Sequence, residues 1–161
     1  MTDEAGLLEI EKDRKTKTAV ICPVIKTAAG MMTAEEEAAR ENAEPGLVLA
    51  MGQEIVFCET VRMSAIVPKS FFGKGTLERL KTACEEKGAE LLVVDMPVSA
   101  VQQRNLEKML NMKVIDRTAV ILEIFGQRAQ TREGKLQVEL AHLTYQRGRL
   151  VRSWTHLERQ R

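Results

Sequence analysis

The chain has 161 residues, of which 44% are hydrophobic and 29% are charged. This composition predicts a soluble protein with one globular domain and an appendage, and no apolar run approaches the ~20 residues that a membrane span needs. Residues 1–17 carry charges throughout and lack the apolar core of a secretory signal, so we expect a cytoplasmic location.

Segments that favour strands alternate along the chain with segments that favour helices. Strands are predicted at residues 18–24, 55–63, 91–95 and 113–116, and the run at 91–95 is apolar like a strand buried on both faces. Helices are predicted at about 33–42, 76–87, 99–111 and 117–129, with capping boxes that begin at Thr33 and Ser99. The alternation predicts an α/β fold, with a small, mostly parallel four-stranded sheet flanked by helices in a strand order that the pattern leaves open.

The C-terminal segment, residues 127–161, is predicted to form one long helix with a narrow apolar seam. The seam residues recur at spacings of four, three, seven, four and three, which is typical of a helix that packs lengthwise on another helix. They are Leu136, Leu140, Leu143, Leu150, Trp154 and Leu157. Because no later segment follows, we interpret the seam as a helix-pairing surface whose partner is absent from this chain.

The same segment is basic. Residues 126–161 hold 8 Lys and Arg against 3 Asp and Glu, whereas residues 1–125 hold 16 against 20. A basic helix on a mildly acidic body indicates a polyanionic partner, and the narrow seam favours nucleic acid over membrane. For any single cation a solvated surface charge is the alternative. The candidate contacts are Arg128, Arg132, Lys135, Arg147, Arg149, Arg152, Arg159 and Arg161.

Two other groups of residues suggest phosphate or metal chemistry. Gly73, Lys74 and Gly75 precede a predicted helix and form a candidate phosphate-binding turn, although a tight turn with a solvated lysine is the simpler interpretation. Asp95 and Asp116 each end a predicted strand, where two carboxylates can hold a magnesium ion. The alternative is that Asp116 caps the following helix and Asp95 merely leaves the sheet.

No other residues suggest catalysis or a bound cofactor. Cys22, Cys58 and Cys84 are predicted to be reduced, buried thiols, and His142 and His156 lie too far apart on one helix to share a metal ion. The sequence has neither a P-loop nor the guanine-specific Asn-Lys-x-Asp pattern. We therefore predict a chain that is not itself an enzyme, with no metal site and no cofactor of its own.

Five segments carry a family resemblance. They are Phe-Phe-Gly-Lys-Gly at 71–75, Gln-Gln-Arg-Asn-Leu-Glu at 102–107, Val-Ile-Asp-Arg-Thr at 114–118, the run at 127–140 and Arg-Ser-Trp-Thr-His-Leu at 152–157. Together they resemble the N-terminal region of the HflX family of ribosome-associated GTP-binding proteins, over roughly residues 18–161. Residues 1–17 are predicted to be a disordered charged tail. The resemblance implies an α/β subdomain, at 18–129, and then a long basic helix, at 130–161, that is one arm of an antiparallel helical hairpin.

The resemblance also implies a function. In that family the N-terminal region docks on the large ribosomal subunit, so the candidate cations become candidate rRNA contacts. The full-length family uses GTP and Mg²⁺ in splitting or rescuing ribosomes. This chain ends at Arg161, where the second hairpin helix and the GTPase domain are expected to follow.

Three functions remain as alternatives. The first is a ribosome-binding, rRNA-contacting domain of an HflX-type GTPase, without catalysis of its own. The second is an ATP- or GTP-binding enzyme module that uses Lys74, Asp95 and Asp116. The third is a protein-interaction module in which the seam pairs with another copy, a homodimer that we expect as an artefact of the missing helix.

Overall fold

The structure, a computed structural model, describes residues 15–25, 48 and 52–159, with side chains as far as residue 149. Four parallel strands form one sheet: β1 (Lys17–Ile25), β2 (Glu54–Met63), β3 (Leu91–Val94) and β4 (Lys113–Asp116). Four helices are described: α1 (Lys74–Lys87), α2 (Ala100–Leu110), α3 (Arg117–Arg128) and α4 (Arg132–Arg159). The predicted α/β fold is confirmed, while the helix expected at 33–42 and most of the tail expected at 1–17 lie outside the described residues.

Both faces of the sheet are buried, because successive strand residues point into two different cores. One core lies between the sheet and helices α1 and α2, and its members include Ile21, Leu80, Leu92, Leu106 and Val114. The other lies between the sheet and α3, and its members include Val20, Val93, Ile115, Val120 and Ile124. Burial on both faces explains why β3 is apolar at every position.

The strand order is β2-β1-β3-β4. From β1 the chain goes first to the β2 edge and then returns to β3 on the other side of β1, so the order reverses between β1 and β3. The carboxyl end of β3 is held to the middle of β1, where the Asp95 N–H donates to the Ile21 carbonyl at 2.9 Å. In open α/β sheets this reversal is where a crevice forms at the carboxyl edge.

Local sequence fixes the ends of the first two described helices. The Ser99 hydroxyl accepts the Gln102 N–H at 3.1 Å and the Gln102 side chain accepts the Ser99 N–H at 3.0 Å, so the predicted capping box of α2 is confirmed. Gly88 ends α1 with a φ of 68°, a left-handed conformation in which glycine is not strained. Asn111 ends α2 in the same conformation, with a φ of 52°.

The long C-terminal helix is confirmed, but it begins at Arg132 instead of running on from residue 127. Helix α3 ends at Arg128, and the Thr131 hydroxyl then accepts the Gly134 N–H at 3.0 Å at the start of α4. The chain reverses direction at this break, so that α4 runs back along α3. Residues of α4 thus lie against α3, with Val138 and His142 beside Gly126.

The cysteine prediction is correct for two of the three thiols. Cys22 and Cys84 are buried, whereas Cys58 is exposed on the edge strand β2. Burial, with smaller contributions from the carboxylates of Glu59 and Glu85, raises the pKa of the Cys84 thiol to about 11. Among the described residues, no helix is both long and apolar enough to cross a membrane.

Ser99→Ala tests the local origin of α2. Removing the capping hydroxyl is expected to lower the free energy of unfolding by about 1 kcal/mol, measured by urea denaturation. Ser99→Asp retains an acceptor oxygen at the same position and should lose less than half as much. Equal losses in the two variants would contradict the capping role.

Candidate nucleic-acid interface and its anchor

Helix α4 has two faces with different surroundings. One set of side chains faces the rest of the fold and another faces away from it, and at about 100° per residue the two sets lie roughly 150° apart around the helix. The set that contacts the rest of the fold is Val138, His142, Tyr145 and Arg149. The opposite set is the described part of the predicted seam, Leu136, Leu140 and Leu143, whose side chains are 55%, 66% and 54% exposed.

The anchor of α4 is Asp116, the last residue of β4, which is only 3% exposed. Its Oδ1 accepts the Ala119 N–H at 3.0 Å and the Tyr145 hydroxyl at 2.9 Å. Its Oδ2 accepts the Val98 N–H at 3.1 Å and the Arg149 Nη2 at 2.9 Å. A carboxylate has about four lone-pair positions, so these donors occupy all of them.

The sequence left two interpretations of Asp116, a magnesium ligand and a helix cap, and the structure favours the cap. The bond to Ala119 caps α3, as the alternative interpretation predicted. Because the remaining lone pairs are taken by Val98, Tyr145 and Arg149, Asp116 has none left for a magnesium ion. A cation could bind there only after one of these hydrogen bonds was broken.

Arg149 connects α4 to three parts of the body. Besides Asp116, its guanidinium donates to the Val98 carbonyl at 2.7 Å and to the side chain of Gln103 on α2. It also lies 4.4 Å from the centre of the Tyr145 ring. The Arg149 side chain is 19% exposed. One of the eight predicted nucleic-acid contacts is thus engaged within the chain.

Asp95 has a comparable position at the end of β3. It is fully buried, and the Arg117 guanidinium lies 3.6 Å from its Oδ1. The two strand-end aspartates therefore lie on neighbouring strands, where Val94 pairs with Asp116, and each faces an arginine. The prediction from sequence that both aspartates lie at strand ends was correct, but it did not identify the arginines that balance their charge.

The contact between α3 and α4 contains two further polar residues. His142 is 8% exposed, and its Nδ1 has no hydrogen-bond partner within the described part of the chain. Burial raises the pKa of Glu123 on α3, while the nearby His142 lowers it. Gly126 lies beside Val138 and His142, which brings the helices close together.

The remaining predicted cations fall into two groups. Arg128, Arg132, Lys135 and Arg147 are exposed. The first three flank the break between α3 and α4, so the structure brings them near one turn. The side chains of Leu150, Arg152, Trp154, Leu157 and Arg159, and the whole of Arg161, lie outside the described residues.

The predicted phosphate-binding turn is exposed at the start of α1. Gly73 is the N-terminal capping residue, and Lys74 and Gly75 open the helix. A methyl group added at either glycine would meet no atom within 4 Å, so packing inside the described chain does not require glycine at these positions. The preceding Phe71 and Phe72 are fully buried with ring centres 4.8 Å apart, and they anchor the turn to the core.

An open groove of about 660 Å³ lies between α2 and α4. Its lining is polar and mixed in charge, and it includes Gln103, Arg104, Glu107, Lys108, Asn111 and Gln146. Burial raises the pKa of Glu107, although Lys113, Gln103 and Arg149 oppose the shift. The groove was not predicted, because it exists only where two helices distant in sequence approach each other.

Comparisons with known proteins cover most of the chain. Residues 36–126 match a family described as GTP-binding GTPase N-terminal, and residues 128–161 match one described as GTP-binding GTPase middle region. The two matches meet near the end of α3.

Three relatives carry the printed name GTPase HflX. The protein of Magnetococcus marinus is 54% identical over 110 residues, which is 68% of this chain and 26% of the relative. The protein of Escherichia coli is 48% identical over 115 residues, 71% and 27% of the two chains. The protein of Lacrimispora saccharolytica is 43% identical over 151 residues, 94% and 33%. The chain thus spans about a quarter to a third of the length of these relatives.

A solved structure shares the fold. A GTP-binding protein from Sulfolobus solfataricus in complex with GDP superposes with a TM-score of 0.60. The sequence identity is 22%, and the match covers 87% of this chain and 40% of that one.

A double-mutant cycle tests the anchor. Arg149→Met leaves a buried carboxylate without its cation, and Asp116→Asn replaces two acceptor positions by an amide donor. Each change is expected to lower the free energy of unfolding by about 3 kcal/mol in denaturant titrations. The double variant should lose clearly less than the sum.

Arg147→Met is the matched control, since Arg147 is an exposed arginine of the same helix. Its effect should stay within about 0.5 kcal/mol. Additive losses from Asp116→Asn and Arg149→Met would show that these side chains do not interact directly.

Tyr145, the only tyrosine of the chain, gives a pH test of the same site. Burial first, and then the Asp116 carboxylate, raise the pKa of the Tyr145 hydroxyl well above its ordinary value, with Arg149 opposing. The folded protein therefore holds this proton more tightly than the unfolded chain. The resulting stability is complete below about pH 10, the ordinary tyrosine value, and is lost as the pH rises towards the folded value.

We expect the phenolate absorbance to develop in the native protein only at a pH above that of free tyrosine. Stability curves of the parent and Tyr145→Phe should converge as the pH rises above about 10, because the other titrating groups are common to both. An ordinary tyrosine titration in the folded protein would contradict the described burial and hydrogen bond.

Proposed function

The chain belongs to the HflX family of GTP-binding proteins, and we propose that it is the N-terminal region with which such a GTPase docks on the large ribosomal subunit. The observation that supports docking on RNA is the exposed cation cluster at the break between α3 and α4. Arg128, Arg132 and Lys135 are exposed there at the adjoining ends of two helices, where their side chains can approach phosphates.

The proposed RNA surface is the part of α3 and α4 that faces away from the body. It contains the turn cluster. The exposed Arg147 lies further along α4, on the same side of the helix as the exposed leucines, and stays in the proposal on sequence grounds. We leave Arg149 out of this surface, because its guanidinium already donates to Asp116, Val98 and Gln103. Arg152, Arg159 and Arg161 stay in the proposal on sequence grounds alone.

The exposed leucines support a second contact on the same helix. Leu136, Leu140 and Leu143 form an apolar stripe that no described residue covers. We propose that a second helix of the same protein covers it, and that two copies of the chain pair through it when that helix is absent. The same proposal assigns GTP and Mg²⁺ to a separate GTPase domain, and places the protein in the cytoplasm.

The alternative of a nucleotide-binding enzyme module has less support. Asp116, one of its three proposed residues, has every lone pair occupied, and Asp95 faces Arg117. Lys74 is exposed at the start of α1, where a phosphate can approach, so it is the one of the three residues that stays available. The geometry thus favours the docking function.

Salt dependence of binding to purified large ribosomal subunits tests the proposal. The variants are Arg132→Gln and Lys135→Gln, singly and together. Each lost phosphate contact should weaken binding and reduce the slope of log affinity against log salt by about 1.

Lys81→Gln is the matched control, because Lys81 is an exposed lysine on α1. It should change neither the affinity nor the slope. Association that does not respond to salt, or an equal effect of Lys81→Gln, would rule out the α3–α4 surface as the RNA contact.

A further inference from the structure

We propose that Asp116, Tyr145 and Arg149 form a latch that sets the direction of α4 and couples it to the loop between β3 and α2. The three side chains join the end of β4 to a helix 29 to 33 residues later in the chain. The latch is a conformational device, and its structural part does not depend on the proposed ribosome docking.

The loop is held on both sides by the same ion pair. The Val98 N–H donates to Asp116 Oδ2 at 3.1 Å, and the Val98 carbonyl accepts from Arg149 Nη2 at 2.7 Å. Val98 itself is buried, and its neighbour Ser99 caps α2. A shift of this loop therefore displaces a donor to Asp116 and an acceptor of Arg149 together, and it acts directly on the contact that holds α4.

The geometry of α4 amplifies such a shift. The helix has 28 residues. At 1.5 Å per residue it is about 42 Å long, so a rotation of 10° about its first turn moves its far end by roughly 7 Å. Nearer to that first turn, Val138 and His142 contact α3 at Gly126. Beyond that contact, Tyr145 and Arg149 bond α4 to Asp116.

The polar contact of Asp116 with Tyr145 and Arg149 orients α4 more effectively than it stabilises the attachment of α4 to the body. A buried ion pair is often no more stabilising than an apolar pair of similar volume, because both charges must lose their hydration. The hydrogen bonds to Asp116, however, hold the donors from Val98, Ala119, Tyr145 and Arg149 in one arrangement. Apolar side chains of the same size would allow α4 to slide or rotate. We infer that the polar latch defines a single direction for the helix.

Spin labels on α1 and α4 measure this direction. The labels are placed at Lys81→Cys and Thr144→Cys, both exposed, in a Cys58→Ser background that removes the exposed native thiol. Pulsed electron-electron distance measurements should give one narrow distribution with the latch intact. Arg149→Met should broaden it at least twofold, and Tyr145→Phe, which removes one hydrogen bond but keeps the ring, should broaden it less.

Arg132→Gln is the control, since it removes a cation of α4 that has no part in the latch, and its distribution should stay narrow. Amide exchange of β1 and β3 monitors the core in each variant. Should Asp116→Asn fail to fold, Arg149→Met and Arg149→Gln decide the question. A distribution that stays narrow in Arg149→Met with the core intact would overturn the latch.

Binding to large ribosomal subunits gives a second readout, which rests on the proposed function. If the latch variants hold the competent direction for about one tenth of the time, their affinity should fall about tenfold. The salt slope should not change, because the same phosphates are contacted. Absence of binding by the parent chain would refute the docking proposal. The latch would then be tested by the distance measurement alone. Unchanged affinity in a variant with a broadened distribution would refute the coupling of helix direction to docking.

Discussion

The arrangement of the segments that follow β3 depends on one buried carboxylate, that of Asp116, at the carboxyl end of an edge strand. A buried charge is tolerated only when hydrogen bonds and an opposite charge replace its lost hydration. Asp116 obtains these from the first turn of α3, from the loop before α2 and from α4. The need to satisfy one anion thus brings three segments together, and it fixes where α4 lies against the body.

This arrangement separates the two tasks of α4. The face towards the body is half polar and carries the residues that fix the position of the helix, Tyr145 and Arg149 among them. The opposite face carries exposed leucines, while exposed cations flank the break at its start. Because the contacts that position the helix do not use the outer face, that face remains available to the partners that we propose for an HflX-type N-terminal region, a second helix and rRNA.

The features that sequence predicted correctly are those that local interactions determine. The apolar strand β3, the capping box at Ser99 and the cap at Asp116 depend on residues within a few positions of one another. The strand order, the pairing of Arg149 with Asp116 and the groove between α2 and α4 depend on contacts between distant segments. Arg149 is the same residue type as its exposed neighbour Arg147, and the break before Arg132 has neither glycine nor proline to mark it. Hydrophobic periodicity identified the exposed leucine face of α4. It did not identify the face with His142 and Tyr145 that packs on the body, because the side chains of that face are largely polar.

The central claim is that Asp116 holds α4 in place without being needed for the sheet. Amide hydrogen exchange of the parent and of Asp116→Asn, resolved by residue, tests it most directly. The account predicts that amides of residues 138–149 lose most of their protection in the variant, while those of β1 and β3 lose no more than the fall in the global free energy of unfolding. Unchanged protection in residues 138–149, or an equal loss throughout the fold, would contradict it.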